Sequence, residues 1–391
     1  MKYNFDEIIN RKHTNCIKYD CCEPIFGTND VFPMWVADMD FRVADFIMDA
    51  LKNRLNHPIF GYFDHSEGFY NSIIEWMEKR HNWNIKKEWL CFSPGICTAI
   101  SVIIHALTNP NDKIIIQTPV YHPFGNIINE LNRKVVRNPL YIDNDLYKMD
   151  FADLECKLKD NAKMLILSNP HNPVGRCWTP EELTKLAELC LKYNCILLSD
   201  EIHSDIIIDG YKHTPVSKLS DKIANNTITC MSPSKTFNIA GLSTSEIIIP
   251  NKDIYDKVNN YLTNSLHLMG NVFGDTALEA AYKYGSDWVD ELNLYLTRNA
   301  NTCIEYIKSN LPMLKTYKHQ ATYLLWVNFK GLNLTHQQLN SLLINKAKLG
   351  LNDGLIFGQE GECFMRINYA CPRKLLIQAL DNLKTAINEN C

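Results

Sequence analysis

The sequence predicts an α/β fold built on a largely parallel sheet. Through the middle of the chain, short apolar runs of strand length alternate with longer helical stretches, the pattern of successive βαβ units. Four of those runs end in residues of unusual chemistry, which a parallel sheet would gather beyond one carboxyl edge. No internal repeat, low-complexity linker or block of like charge interrupts the alternation.

Taken in order, the strand candidates are 113–117, 134–137, 163–168, 195–199, 227–231 and 246–249. The helices between them are 98–107, 123–131, 180–193 and 253–264. The third helix has the clearest start: Thr179 as N-cap, Pro180 at the first helical position, and Glu181 and Glu182 where acids complement the helix dipole. From residue 288 the pattern changes to a long helix (288–310), an aromatic strand (321–329), a helix (335–347), a strand (363–369) and a last helix (374–388). That second region is an α+β layer. The predicted division is a large domain over 46–287 and a small one made from 1–45 together with 288–391.

A chain of 391 residues has room for both. Its 46% hydrophobic and 21% charged residues are those of a soluble globular protein, and a net charge of −4 gives no basic surface for nucleic acid. No apolar run reaches the ~18 residues that cross a bilayer, and the start, Met1 to Glu7, lacks the apolar segment of a signal peptide. The fourteen cysteines include no C-x-x-C pair, and Cys195 and Cys230 lie in apolar runs. They read as reduced thiols, with no metal site, in a cytoplasmic protein.

The candidate site follows from the four strand ends. Ser232-Pro-Ser-Lys-Thr-Phe-Asn238 places Lys235 among small hydroxyl residues directly after a strand, either as a reactive amine or in a surface turn. An ordinary lysine, with a pKa near ~10.4, is almost wholly protonated at pH 7. Condensation with a bound aldehyde removes that handicap, and Ser232 and Ser234 would meet a phosphate on the same ligand. Asp200 ends the apolar strand Ile-Leu-Leu-Ser-Asp, where a carboxylate needs a partner: a pyridinium nitrogen, a helix N-terminus or a buried cation. Asn172, between two prolines, is aimed either at a ring oxygen or into a plain turn. Tyr121 stands where an aromatic can stack on a flat cofactor or simply join the core. Gly95-Ile-Cys-Thr98, at a loop-to-helix junction, either presents backbone amides to a phosphate or is a simple N-cap. Arg366, inside the apolar Phe-Met-Arg-Ile-Asn, needs an anion, either a substrate carboxylate or a structural acid. His203, three residues past Asp200, is a structural residue or a catalyst.

In combination these residues resemble the pyridoxal 5'-phosphate (PLP) enzymes of fold type I, the aspartate aminotransferase-like superfamily. The order is Asn-Pro-x-Asn-Pro-x-Gly, Ser-Asp-Glu, Ser-x-Ser-Lys and a late arginine. Within it the chain is most similar to the MalY/PatB type, cystathionine β-lyases and related carbon–sulfur lyases, through segments spanning residues 33 to 373. These include Pro33-Met-Trp-Val-Ala-Asp-Met-Asp-Phe41, Trp76 with Arg80-His-Asn-Trp83, and Arg366-Ile-Asn-Tyr-Ala-Cys-Pro-Arg373. The resemblance implies a seven-stranded, mostly parallel sheet and a homodimer with shared sites. Lys235 would hold PLP and move the Cα proton, with Asp200 at the pyridine nitrogen, Asn172 at the ring oxygen and Tyr121 over the ring. His203 stands where general aminotransferases carry a tyrosine at the ring. Ser232, Ser234 and the amides of Ile96 and Cys97 would bind phosphate, joined by Tyr62 from the neighbouring subunit. Arg366 would take the substrate carboxylate, with Trp35, Ala37 and Asp38 in a loop closing over it. The activity implied is β-elimination from cystathionine or cysteine to thiol, pyruvate and ammonia. Transamination shares its early steps, and some family members carry an added regulatory, protein-binding role.

Overall fold

A computed structural model describes residues 2–390. Seven strands form the main sheet: β1 (Leu90–Ser93), β2 (Lys113–Ile116), β3 (Lys134–Arg137), β4 (Met164–Ser168), β5 (Ile196–Asp200), β6 (Thr227–Met231) and β7 (Ser245–Ile248). Their order is β1-β7-β6-β5-β4-β2-β3. β7 is antiparallel to both of its neighbours, and the pairs from β6 to β3 are parallel. Six of these strands lie where the apolar runs predict them. β1 is the seventh, a four-residue Leu-Cys-Phe-Ser too short and too poor in β-branched residues to stand out.

Both faces of the sheet are covered, which is why its strands read as continuous apolar runs rather than as alternating ones. Ile114, Ile116 and Ile166 pack on one side with Ile100, Ile103 and Phe124; Ile115, Leu165 and Leu167 pack on the other with Leu154, Leu183 and Leu186. These side chains are buried almost completely, each contributing about 1.5–3 kcal/mol of transfer free energy. The helices that matter for the site are α1 (Glu67–His81), α2 (Ile96–Leu107), α3 (Pro123–Glu130), α4 (Pro180–Lys192) and α5 (Lys252–Asn260). α4 starts with a full capping box between Thr179 and Glu182. α2 starts at Ile96, two residues before the expected position, because Gly95 acts as its N-cap.

A second, antiparallel sheet has the order β8 (Lys315–Thr316), β9 (Leu324–Asn328), β11 (Phe364–Asn368), β10 (Asn352–Asp353). α6 (Ser286–Asn310) and α7 (Arg373–Asn390) pack with it in one core. β11 is buried along its whole length, with Arg366 opposite Trp326 on one side and Asn352 on the other. The chain's beginning joins this layer. Phe32–Pro33 pairs in parallel with Leu349–Gly350, and the amides of Asn368 and Asp40 donate across to Met34 O and Ala370 O, each at 2.9 Å. Residues 34–40 are thereby laid beside β11, at the edge of the main sheet.

Every described cysteine is a free thiol. Among the described residues no helix is long and apolar enough to cross a membrane.

Candidate active site

The carboxyl ends of β4, β5 and β6 and the loop after β2 meet at a cavity of about 210 Å³, walled by Lys235, Asp200, Asn172, Tyr121, His203 and Cys97 among others. The register makes the convergence concrete: Ser168, Asp200 and Cys230 are neighbours across three strands. The loop after β4 is shaped by Gly175, whose φ is +68° and where a Cβ would meet His319 Nδ1 at 2.2 Å. Tyr121 is tied to the same loop, its amide donating to Asn172 O at 3.1 Å. Its hydroxyl is 3.8 Å from Cys97 Sγ, and burial raises its pKa.

Lys235 lies in a single helical turn, Pro233–Thr236, capped by the Ser232 hydroxyl, which accepts from the Ser234 amide at 3.1 Å. Burial lowers the pKa of its ammonium, so the free amine is more accessible than on an ordinary lysine. Nζ donates to Ala37 O at 2.7 Å, a carbonyl that also accepts from the Tyr323 hydroxyl at 2.9 Å. The neighbouring carbonyls are held too. Trp35 O accepts from Arg366 Nη2 at 2.8 Å, and Val36 O and Asp38 O accept from Asn368 Nδ2 at 2.6 Å each. Four consecutive carbonyls therefore each meet a side chain, and the segment is fixed against Arg366, Asn368, Tyr323 and Lys235 at the side of the site.

Asp200 is buried, with the Ile202 amide donating to Oδ1 at 3.1 Å. Burial pushes its carboxyl up to about 7, with Glu201 adding repulsion and Lys235 opposing. Beside it His203 is driven down to about 3 by burial, hence neutral, and its Nδ1 has no partner among the described residues. At the other end of the cavity, α2 begins at Gly95 without a side-chain cap, leaving the first-turn amides of Ile96 and Cys97 for an anion. Ser232, Ser234 and Thr244 adjoin them, and the Thr244 hydroxyl is buried without a partner. The donor set fits PLP: a buried acid for a ring nitrogen, an amine for an aldehyde, and amides and hydroxyls for a phosphate.

Arg366 reaches this wall through Asn172, donating Nη1 to its Oδ1 at 3.0 Å. The guanidinium lies over the Phe357 ring at 4.9 Å, its Nε is unpartnered, and it forms no ion pair with any described carboxylate. Burial lowers its pKa to about 10, which still leaves it charged at neutral pH. A buried cation without a counter-ion is costly, and an incoming carboxylate relieves that cost.

Four of the sequence candidates, Trp35, Asp38, Tyr62 and Arg366, lie outside the lining of the cavity, Arg366 joined to it through Asn172. Asp38 turns its carboxylate to Arg11, as does Asp40, in a cluster completed by Lys18. It borders a wider hollow of about 740 Å³ that shares Ala37 and Lys235 with the cavity and forms its mouth. Tyr62 is 98% exposed and lines a third hollow, of about 780 Å³, next to Pro94. Trp35 contributes its carbonyl to Arg366, while its indole donates to Lys18 O at 3.0 Å. Sequence reasoning missed Tyr323, Thr244 and Arg11. Only Tyr323 left a trace, as part of the aromatic run Ala321 to Trp326.

The family model for aminotransferase class I and II matches residues 30–383. The chain belongs to this family. Among the class I and II relatives, cystathionine beta-lyase PatB of Bacillus subtilis (strain 168) is 42% identical over 98% of this chain and 100% of its own. Protein MalY of Escherichia coli (strain K12) is 31% identical, covering 98% of this chain and 99% of its own. The structure of a PLP-bound C-S lyase from Staphylococcus hominis is also similar. It superposes with a TM-score of 0.91 at 34% identity, over 99% of this chain and 100% of that one. The kinship to MalY and PatB read from the motifs thus extends along the whole chain, and the fold is that of the type I class.

Proposed function

We propose that this protein is a PLP-dependent carbon–sulfur β-lyase that cleaves cystathionine, and cysteine as a smaller substrate, to a thiol, pyruvate and ammonia. The observation that carries it is one cavity lined by a buried acid and a lysine with a lowered pKa, with a buried arginine without a counter-ion bonded to Asn172 of its wall. Kinship to a protein named cystathionine beta-lyase favours elimination over transamination.

PLP, when bound, supplies an electron-withdrawing ring that makes the substrate Cα acidic. Lys235 would hold the cofactor aldehyde and then, as free amine, take the Cα proton, for which burial has already lowered its pKa. Asp200 would keep a proton on the ring nitrogen; an ionised carboxylate there is stable only beside a cation. Asn172 and neutral His203 would face the ring oxygen, and Tyr121 would pack against the ring. Ser232, Ser234 and the Ile96 and Cys97 amides would carry the phosphate. Arg366 would fix the substrate carboxylate and so orient the Cα–H bond toward Lys235 Nζ.

The working form is a homodimer on this reading. Tyr62, Phe60 and Met269 are large and exposed in the third hollow, an apolar face of the kind that a second copy covers. Tyr62 would then serve the partner's phosphate. Light scattering is expected to give twice the chain mass, and Tyr62→Phe to raise the PLP dissociation constant about tenfold, the worth of one hydrogen bond to a charged group. A monomer with unchanged PLP affinity in the variant would remove the shared-site reading.

The reaction itself is tested by incubating the PLP-loaded protein with cystathionine and no keto acid. Pyruvate and homocysteine are expected in equal amounts. Their absence, with amino transfer appearing once a keto acid is added, would make the protein an aminotransferase instead.

A further inference from the structure

Lys235 sits in a turn that cannot hold itself in place. Pro233–Thr236 is four residues long and closes on backbone bonds from Phe237 N to Pro233 O at 2.8 Å and from Ile239 N to Ser234 O at 3.1 Å, too short a helix to persist alone. Its position is set by what grips it. On the cavity side the Ser232 hydroxyl donates to Thr244 O at 2.8 Å. On the far side the grip is polar and wholly buried. Thr236 points away from the cavity and donates its hydroxyl to Asp205 Oδ2 at 3.0 Å. The same oxygen accepts from Trp76 Nε1 at 3.2 Å, and Asp205 Oδ1 stands 3.1 Å from His81 Nε2. Trp76 and His81 both come from α1, and Asn293 of α6 donates to Asp205 O at 2.7 Å.

Asp205 is five residues beyond Asp200 on one short segment. That segment therefore touches the site twice, through Asp200 inside the cavity and through Asp205 underneath the lysine turn. A charge-assisted hydrogen bond is stronger and more sharply directed than a neutral one. We propose that Asp205, acting through Thr236, is a positioning residue that sets the separation between the Asp200 carboxylate and Lys235, with Trp76 and His81 holding the aspartate in turn. The inference rests on Lys235 being the reactive amine. Neither Thr236 nor Asp205 lines the cavity. The pair's effect is on where Nζ lies when it takes the Cα proton, so it acts on turnover and leaves carboxylate binding at Arg366 alone.

The test uses the PLP-loaded enzyme with Lys235→Ala, Thr236→Val, Thr236→Ser and Asp205→Asn. PLP on the lysine is counted by borohydride trapping, so that the rate of each enzyme that keeps Lys235 is expressed per loaded site, and that of Lys235→Ala per chain. Thr236→Val, the same shape without the donor, is expected to lower kcat 10- to 100-fold with KM for cystathionine within threefold, and Thr236→Ser to restore kcat. Asp205→Asn keeps one oxygen that can accept from both Thr236 and Trp76 but removes the charge and turns an amide toward His81, so a loss of kcat smaller than that of Thr236→Val is expected. A Thr236→Val enzyme whose kcat per loaded site stays within twofold of the parent overturns the proposal, even if its melting temperature falls, because the pair would then be merely structural. Turnover that survives in Lys235→Ala overturns the reading beneath it and is seen separately. Should Asp205→Asn fail to fold, the Thr236 pair decides by itself.

Discussion

Lys235→Ala is expected to lower pyruvate release from cystathionine by about 10⁴-fold or more, the scale on which a positioned proton carrier and a covalent tether act together. Several observations set that scale. Nζ is the basic group that lies at the boundary between the cofactor-sized cavity and its mouth. Its pKa is lowered by burial, and that environment is lost with the side chain. His203, the next base in the wall, is neutral and does not line the mouth that Lys235 borders, so it does not substitute. The variant should still bind PLP through Asp200 and the α2 amides, but without a borohydride-stable link. Steady-state pyruvate assays and mass spectrometry after reduction read the two effects. A variant with a tenth of the parental rate would exclude Lys235 as the proton carrier.

Asp200→Asn is expected to lower kcat by about 10²–10³-fold, as when one preorganised charge is removed from a developing anion. It should also change stability with a definite sign. The buried carboxyl is raised from an ordinary 3.8 to about 7. Between those values the folded protein holds a proton that the unfolded chain has lost, so this group's contribution falls as pH rises from about 4 to about 7 and is constant above. The loss is on the order of 4 kcal/mol. In the cofactor-free protein, Asp200→Asn should therefore melt near the parent at pH 5 and above it at pH 8. With PLP bound the order should reverse at pH 8, since a ring cation then compensates the carboxylate. Thermal melts at the two pH values, with and without PLP, check this. A cofactor-free variant less stable than the parent at pH 8 would contradict the unpaired carboxylate.

Much of this arrangement was legible because the chemistry sits at strand ends. Lys235, Asp200, Asn172 and Tyr121 follow directly on apolar runs, and parallel pairing brings such ends together whatever the strand order. The cap of α4 was legible for a similar reason, since Thr179 and Glu182 are three residues apart. What stayed hidden depends on distant partners. Arg11 reads as one more surface cation until the fold sets Asp38 and Asp40 against it. Tyr323 gains its meaning from Ala37 O, 286 positions away. Thr236 looks like another small residue of the lysine motif, and only packing shows that its hydroxyl serves the opposite side. β1 and the reversal of β7 escaped because four residues carry too little pattern to register.

The fastening of residues 35–38 to β11 and Lys235 has a consequence for biosynthesis. The amine, the acid and the guanidinium of the site come from positions 235, 200 and 366, and the segment fastened to them from near the start of the chain. A ribosome-bound fragment that lacks β11 has no Arg366 and cannot complete that fastening. Contacts of such sequence separation form late and slowly. PLP should therefore act as a lock on the finished protein rather than as a nucleus for its folding: adding it to a refolding mixture should slow unfolding and leave the folding rate unchanged.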